Sequence, residues 1–267
     1  MAKTILITGA TDGIGLATAK MLAPDGHHLL VHGRNPAKLA SVEEELSALA
    51  GGGAVEGFVA DLSRLSEVEA LAKAVTDRHS TLDVLINNAG VFKTPSAVTP
   101  DGLDARFAVN TIAPYLLTQR LLPLLGSSGR VVNLSSAAQA RVSLSALAAH
   151  TGLADGEAYA QSKLAITMWS VELARKLGNA GPAVLPVNPG SLLGTTMVKE
   201  AFGTVRADVS VGAKILCRAA LDDSFASASG QYFDNDAGQF APPHPDASDP
   251  KKTREIVQHI EQILAAA

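Results

Sequence analysis

The sequence predicts an α/β protein: a doubly wound, mostly parallel sheet with helices on both faces, formed by residues 1–267 as a single unit. Two observations point there. Short apolar runs alternate with stretches of helical periodicity from Thr4 to Asp234. The first apolar run also passes through a glycine-rich loop into a helical stretch, the order expected where a helix N-terminus faces a phosphate.

In chain order, Thr4 to Thr8 is a buried strand, Gly9 to Gly15 the loop, and Leu16 to Leu22 helical. The loop glycines allow a sharp turn and a close backbone approach to a pyrophosphate, although an ordinary glycine-rich turn has the same composition. His28 to His32 is the second strand, and Pro36 opens the helix after it. Where an acid would hold the ribose hydroxyls of NAD, this chain has Gly33, followed by Arg34 and Asn35. The Arg34 guanidinium suits the 2′-phosphate of NADP; a solvated loop arginine is the other reading.

Val55 to Ala60 and Asp83 to Ile86 are the third and fourth strands, ending at Asp61-Leu62 and at Asn87-Asn88-Ala89-Gly90. Asp101 to Leu125 is helical in pattern but holds Pro114, which cannot donate to the Asn110 carbonyl. Arg130 to Leu134 is the fifth strand, with Ser135-Ser136 at its end, and Ala183 to Val187 the sixth, closed by Asn188-Pro189-Gly190. Residues 191–208 mix Gly, Thr and apolar residues and read as a flap over the substrate, partly helical; residues 137–156 read as another part of the substrate wall. Val209 to Leu221 is a helix, and Gly230 to Asp234 the last strand. The prolines of Phe240–Pro245 argue against regular structure there, and Asp249-Pro250 opens a terminal helix to Leu264.

With 22 basic against 26 acidic residues and no basic block, nucleic acid is not an expected partner. No apolar stretch reaches membrane-spanning length, and Cys217 is alone, so a cytoplasmic, membrane-free protein is expected. The seven histidines show no metal-ligand spacing, so no metal is expected.

The stretch with most chemical content is Tyr159-Ala-Gln-Ser-Lys163, inside a helical run from Glu157 to Leu177. Four-residue spacing puts both side chains on one helix face. A cation beside a phenol lowers its pKa from ~10, toward a value useful for proton transfer. A half-exposed tyrosine and a solvated lysine would show the same spacing.

Taken together, these features resemble the short-chain dehydrogenase/reductase family, including its retinol-dehydrogenase-like branch, over almost the whole chain. Thr8-Gly9-Ala-Thr-Asp-Gly13-Ile14-Gly15 is similar to the family's cofactor loop, and Asn87-Asn88-Ala89-Gly90 and Pro189-Gly190 to two further motifs. The resemblance implies a Rossmann-type fold with NADP, in preference to NAD, across the carboxyl ends of the strands. It implies a catalytic set of Asn110, Ser136, Tyr159 and Lys163, with Ser135 the alternative to Ser136. Tyr159 would exchange the proton, and Lys163 would lower its pKa and hold the nicotinamide ribose. Ser136 would bind the reacting oxygen, and the Asn110 carbonyl a relay water.

Cofactor contacts are implied for Gly9, Thr11, Asp12, Gly13, Ile14 and Gly15, and for Arg34, Asn35, Asp61 and Leu62. They are also implied for Asn88, Ala89, Gly90, Pro189, Gly190 and Leu192, and for Thr195 with Thr196 as its alternative. Asp12 departs from the basic residue common in NADP-using members. The implied reaction is hydride transfer between NADP(H) and a hydrophobic alcohol or ketone, in a homodimer or homotetramer. A non-catalytic, cofactor-sensing regulator on the same fold is the competing expectation.

Overall fold

The computed structural model describes residues 1–266. Its strands are β1 (Thr4–Ile7), β2 (His28–Gly33), β3 (Val55–Val59), β4 (Leu82–Asn87), β5 (Leu125–Leu134), β6 (Ala183–Asn188), β7 (Tyr232–Asp234) and β8 (Gln239–Ala241). They form one sheet of eight, in the order β3-β2-β1-β4-β5-β6-β7-β8. All neighbours are parallel except β7 and β8. The direction of winding reverses between β1 and β4, which opens a crevice at the carboxyl ends of those two strands.

The helices are α1 (Gly13–Leu22), α2 (Pro36–Leu49), α3 (Leu65–Arg78), α4 (Ala105–Phe107), α5 (Ala113–Leu121), α6 (Leu144–Ala148), α7 (Asp155–Leu177), α8 (Thr196–Phe202), α9 (Val209–Leu221) and α10 (Pro250–Ala266). Strand side chains alternate between two cores, because successive residues of a strand face opposite sides. Leu6, Leu30, Leu85 and Val131 join the core under α3, α5 and α7. Ile5, Leu29, Val31 and Val132 join the core under α1, α2 and α9.

Two features fix the amino end of α7, the helix that carries Tyr159. The first is a π turn, Ala108–Ile112, between α4 and α5, where Ala113 N–H reaches the Ala108 carbonyl. It lies where Pro114 denies a donor to Asn110, so the sequence break appears as a local widening rather than a simple kink. Within it, Thr111 Oγ1 donates to the Ser162 carbonyl on α7 at 2.8 Å.

The second is Arg106, which is 1% exposed. It grips Asp104 through Nε at 2.8 Å and Nη2 at 2.6 Å, and reaches Asp155, the first residue of α7, through Nη1 at 2.5 Å. Burial alone would raise the Asp104 carboxyl, but hydrogen bonds from Arg106 and His150 outweigh it and hold the group below its usual range.

The elements follow the sequence reading closely, with corrections. Phe240 and Ala241 are not irregular: they pair antiparallel with Phe233 and Tyr232, so Tyr232–Asp234 is not the last strand. The following prolines are tolerated because β8 is an edge strand whose outer donors face no neighbour. Strand β5 starts at Leu125, earlier than Arg130. The expected helix from Asp101 begins only at Ala105, and the Asp101 carboxylate instead accepts from Leu65 N–H at the start of α3.

Removing the guanidinium would strand a buried carboxylate. Arg106→Ala is expected to cost about 3–5 kcal/mol in urea unfolding. Because the Asp104 pKa is depressed, its contribution is present above the unfolded value near ~3.9 and lost as pH falls through the folded value. A loss below 1 kcal/mol, or one independent of pH between about 6 and 3, would reject this account of the pair.

Candidate active site

A cleft of about 450 Å³ lies at the carboxyl ends of the strands, over the reversal between β1 and β4. Its floor depends on a clasp between the exits of those strands. The Asn88 side-chain amide donates to the carbonyls of Thr8 and Gly9 at 2.9 and 3.0 Å. Thr8 Oγ1 in return accepts from the backbone N–H of Asn88 and of Ala89, both at 3.1 Å. This packing admits no side chain at two loop positions. A Cβ at Gly15 would lie 2.3 Å from the Gly9 carbonyl oxygen, and one at Gly9, with φ of 65°, 2.9 Å from Ala89 Cα.

Three of the four expected catalytic residues, Ser136, Tyr159 and Lys163, come together at one wall. Tyr159 and Lys163 converge, with Lys163 Nζ 5.6 Å from the centre of the Tyr159 ring. Ser136 stands beside the Tyr159 hydroxyl, close enough to favour its ionised form. Ser135 is committed elsewhere: its hydroxyl is 2.6 Å from Thr167 Oγ1 and 3.2 Å from the Lys163 carbonyl. Asn110 does not line the cleft. Its amide brackets Val91, accepting from the N–H at 2.8 Å and donating to the carbonyl at 3.0 Å, and it donates to Ser162 Oγ at 3.0 Å. It therefore ties the β4 exit to α7, immediately behind Gly90.

The direction of the Tyr159 pKa differs from the expectation drawn from its spacing with Lys163. Burial raises it, and the neighbouring Ser136 only partly offsets that. Lys163 is buried too, and burial pushes its ammonium down to about 8. Its Nζ donates to the Leu134 carbonyl at 2.7 Å instead of to the phenol. Helical spacing brings the two groups near each other, but desolvation sets the sign of both shifts.

Most of the expected cofactor residues line the cleft: Gly9, Thr11, Asp12, Gly13 and Ile14 from the loop, Arg34 and Asn35 after β2, and Asp61 and Leu62 after β3. Asn88, Ala89 and Gly90 line it after β4, Pro189 and Gly190 after β6, and both Thr195 and Thr196 at the start of α8. Gly15 and Leu192 do not line it; Gly15 packs under the loop, and Leu192 forms a left-handed turn with φ of 52°. Thr195 caps α8, and Thr196 donates to Asp12 at 3.1 Å. None of residues 137–156 reaches this cleft, so that stretch is not part of its wall.

Two lining residues, His32 and Lys38, and one supporting residue, Asp236, were not foreseen. His32 is buried between three strand ends: Nδ1 accepts from Gly9 N–H at 3.1 Å, and Nε2 is 3.0 Å from the Ala60 carbonyl. Burial lowers its pKa, and a neutral ring with hydrogen on Nε2 satisfies both partners. Lys38 lines the mouth 3.6 Å from Asp12 Oδ2. Its position in the first turn of a helix that opens beside Arg34 was a usable signal. Asp236 braces the Pro-Gly turn by accepting from Ser191 N–H at 2.8 Å and Asn188 Nδ2 at 2.9 Å, a long-range contact without a linear signature.

Comparison with known proteins agrees with this architecture. The family model for short chain dehydrogenases matches residues 3–205. Human retinol dehydrogenase 13 is 31% identical, over 95% of this chain and 82% of its own. A crystal structure of an uncharacterized protein from Mycobacterium paratuberculosis superposes with a TM-score of 0.82 at 30% identity, covering 98% of this chain and 92% of the other. The angucycline C-6 ketoreductase LanV with bound NADP gives 0.69 at 29% identity, over 87% and 93%. The fold and its cleft define a dinucleotide-binding oxidoreductase. The chain belongs to the short-chain dehydrogenase family.

The buried ammonium yields a pH-dependent prediction. With a pKa of about 8 folded and about 10.4 unfolded, Lys163 favours unfolding below pH 8, a penalty that disappears as pH rises through the unfolded value. Compared with wild type by urea unfolding, Lys163→Met should lose relative stability between pH 7.5 and 10, by roughly 2–3 kcal/mol. A stability difference that stays constant across that range would contradict the buried-ammonium account.

Proposed function

We infer that the protein transfers a hydride between NADP(H) and an alcohol or its carbonyl counterpart, with Tyr159 exchanging the proton. One observation carries this reading: the Tyr159 hydroxyl meets Ser136 at the wall of the cleft, with Lys163 Nζ 5.6 Å from the Tyr159 ring. A phenol kept protonated by burial is an acid at neutral pH, and in carbonyl reduction it would donate to the oxygen that gains negative charge. Ser136 would hold that oxygen by a second hydrogen bond. In alcohol oxidation the same phenol must first lose its proton, so oxidation is favoured as pH rises. Lys163, ionised at neutral pH, would stabilise the phenolate and donate to ribose hydroxyls.

The residues of the cleft fit a dinucleotide. The glycine loop leaves its backbone accessible, and a Cβ at Gly33 would come within 2.4 Å of Thr11 Cγ2, so an acid at that position would have to displace Thr11. Arg34 and Lys38 stand at the mouth instead, a pair of cations suited to a 2′-phosphate. The nicotinamide supplies or accepts the hydride when bound. That NADP is the partner is supported by its presence in the related ketoreductase.

An apolar substrate is supported by Val91, Val109, Leu193, Met197 and Val198 on the walls, and by the similarity to a retinol dehydrogenase. Residues 191–208 would act as the flap. Its base is closed by the Leu193–Ala207 bridge, and its helix α8 lies against the loop through Thr196 and Asp12.

Tyr159→Phe is expected to lower turnover by at least about a hundredfold while NADPH still binds within a few-fold, as read by fluorescence titration. Undiminished turnover would remove Tyr159 from its role, and failure of the wild-type chain to reduce any carbonyl in a broad screen would favour a cofactor-sensing regulator. Arg34→Asp should weaken NADPH by about 10–100-fold and leave NADH nearly unchanged. Equal loss for both would remove Arg34 from 2′-phosphate recognition.

A further inference from the structure

At the edge of the sheet away from the cleft, three potential metal donors from separate elements converge. His28 and Leu30 lie on one face of β2, Glu56 and Phe58 on the same face of β3, because Leu30 pairs with Glu56 in register. The last turn of α3 lies over that face and ends in His79. His28 Nε2 is 2.8 Å from Glu56 Oε1. His79 Nε2 is 3.4 Å from Glu56 Oε2. One donor atom from each residue can be chosen so that all lie within 4.8 Å of one another.

Hydrogen bonding alone leaves this cluster incomplete. His79 Nε2 is buried and has no hydrogen-bond partner among the described residues. The His79 side chain is 11% exposed, so solvent does little to satisfy it. The two imidazoles meet edge to face, 5.2 Å between centroids, and do not bond each other. Arg78 borders the cluster but does not complete it: Nη1 is 3.8 Å from Glu56 Oε2, beyond hydrogen-bond length, and the guanidinium lies over the Phe58 ring at 5.0 Å. His27 is excluded from the group, because its Nδ1 accepts from Lys3 N–H.

We propose that His28, Glu56 and His79 form a binding site for a divalent transition metal of the zinc type. Two imidazole nitrogens and a carboxylate oxygen are a zinc donor set, with solvent completing four-coordination. Zinc–ligand bonds near 2.0–2.1 Å place tetrahedral donors about 3.3 Å apart, close to the separations of Glu56 from both rings. The donors are far apart in the chain, so motif spacing did not reveal them. Bound metal would join the start of β2, β3 and the end of α3, at the opposite end of the strands from the cleft. Its role there is to hold the sheet edge rather than to take part in hydride transfer.

The test uses the full chain, freed of metal by a chelator and then dialysed. Titration with zinc chloride by calorimetry should show one site per chain, and zinc should raise the melting temperature. Cobalt(II) should give the intense visible absorption of a four-coordinate site. His79→Gln and Glu56→Gln should each weaken zinc by at least about tenfold, whereas His259→Gln, a half-buried position on α10 outside the cluster, should bind as wild type. Absence of zinc binding to the wild-type chain overturns the proposal, as does wild-type affinity in both Glu56→Gln and His79→Gln. Should His79→Gln fail to fold, Glu56→Gln and the wild-type cobalt spectrum decide the matter.

Discussion

The cleft exists because Asn88 holds the exits of β1 and β4 together while their following chains diverge. Four hydrogen bonds between Asn88-Ala89 and Thr8-Gly9 leave no space for a side chain beneath the loop. The loop must then be glycine at positions 9 and 15, where a Cβ would meet backbone or the Asn88 amide itself. The floor is thus fixed by covalent sterics and buried polar pairing, before any ligand arrives. Buried His32 extends the same clasp sideways, joining the Gly9 amide to the β3 exit. Rigid positioning of this kind lets a site act by orientation, since its polar groups need no rearrangement to receive a ligand.

The wall that carries Tyr159 and Lys163 has the opposite energetics. Lys163 and Tyr159 are desolvated, each pushed toward its neutral form, Lys163 held by the Leu134 carbonyl and Tyr159 beside Ser136. Such groups weaken the fold unless surrounding packing holds them in place. That packing is visible on α7: buried Arg106 fixes its first residue, Thr111 its second turn, and Glu172 bonds Arg175 and Thr253 of α10 further along. The helix that holds Tyr159 and Lys163 is thus anchored at its first residue, along its first half and again against α10. On the proposed mechanism, activity and stability fall to different residues of the same element.

Much of this was legible in the chain. Alternating periodicities gave the strands and helices, and the glycine loop and the Tyr159–Lys163 spacing gave the site, because each depends on local geometry. What escaped depends on residues distant in sequence. Strand β8 sits among prolines that look irregular until its edge position shows that half its donors need no partner. Asp236 supports the Pro-Gly turn from a separate loop, and His32 reads as an ordinary strand residue until its two ring partners are seen. The sign of the Tyr159 shift was misjudged because spacing reports proximity, whereas burial is a property of the assembled wall.

Asp12 shows how a departure from a family pattern can be absorbed. Its carboxylate accepts from Gly13 N–H at 2.7 Å, so it caps α1, and its other oxygen accepts from Thr196 on the flap. An acid is suited to both tasks: it complements the positive end of the helix and gives the flap hydroxyl an anionic acceptor. It is correspondingly poorly suited to face a phosphate. On the proposed reading, the positive charge that a 2′-phosphate needs is displaced outward, to Arg34 and to Lys38, whose Nζ lies 3.6 Å from Asp12. Lys38 would then stand between an acid of the protein and an anion of the ligand.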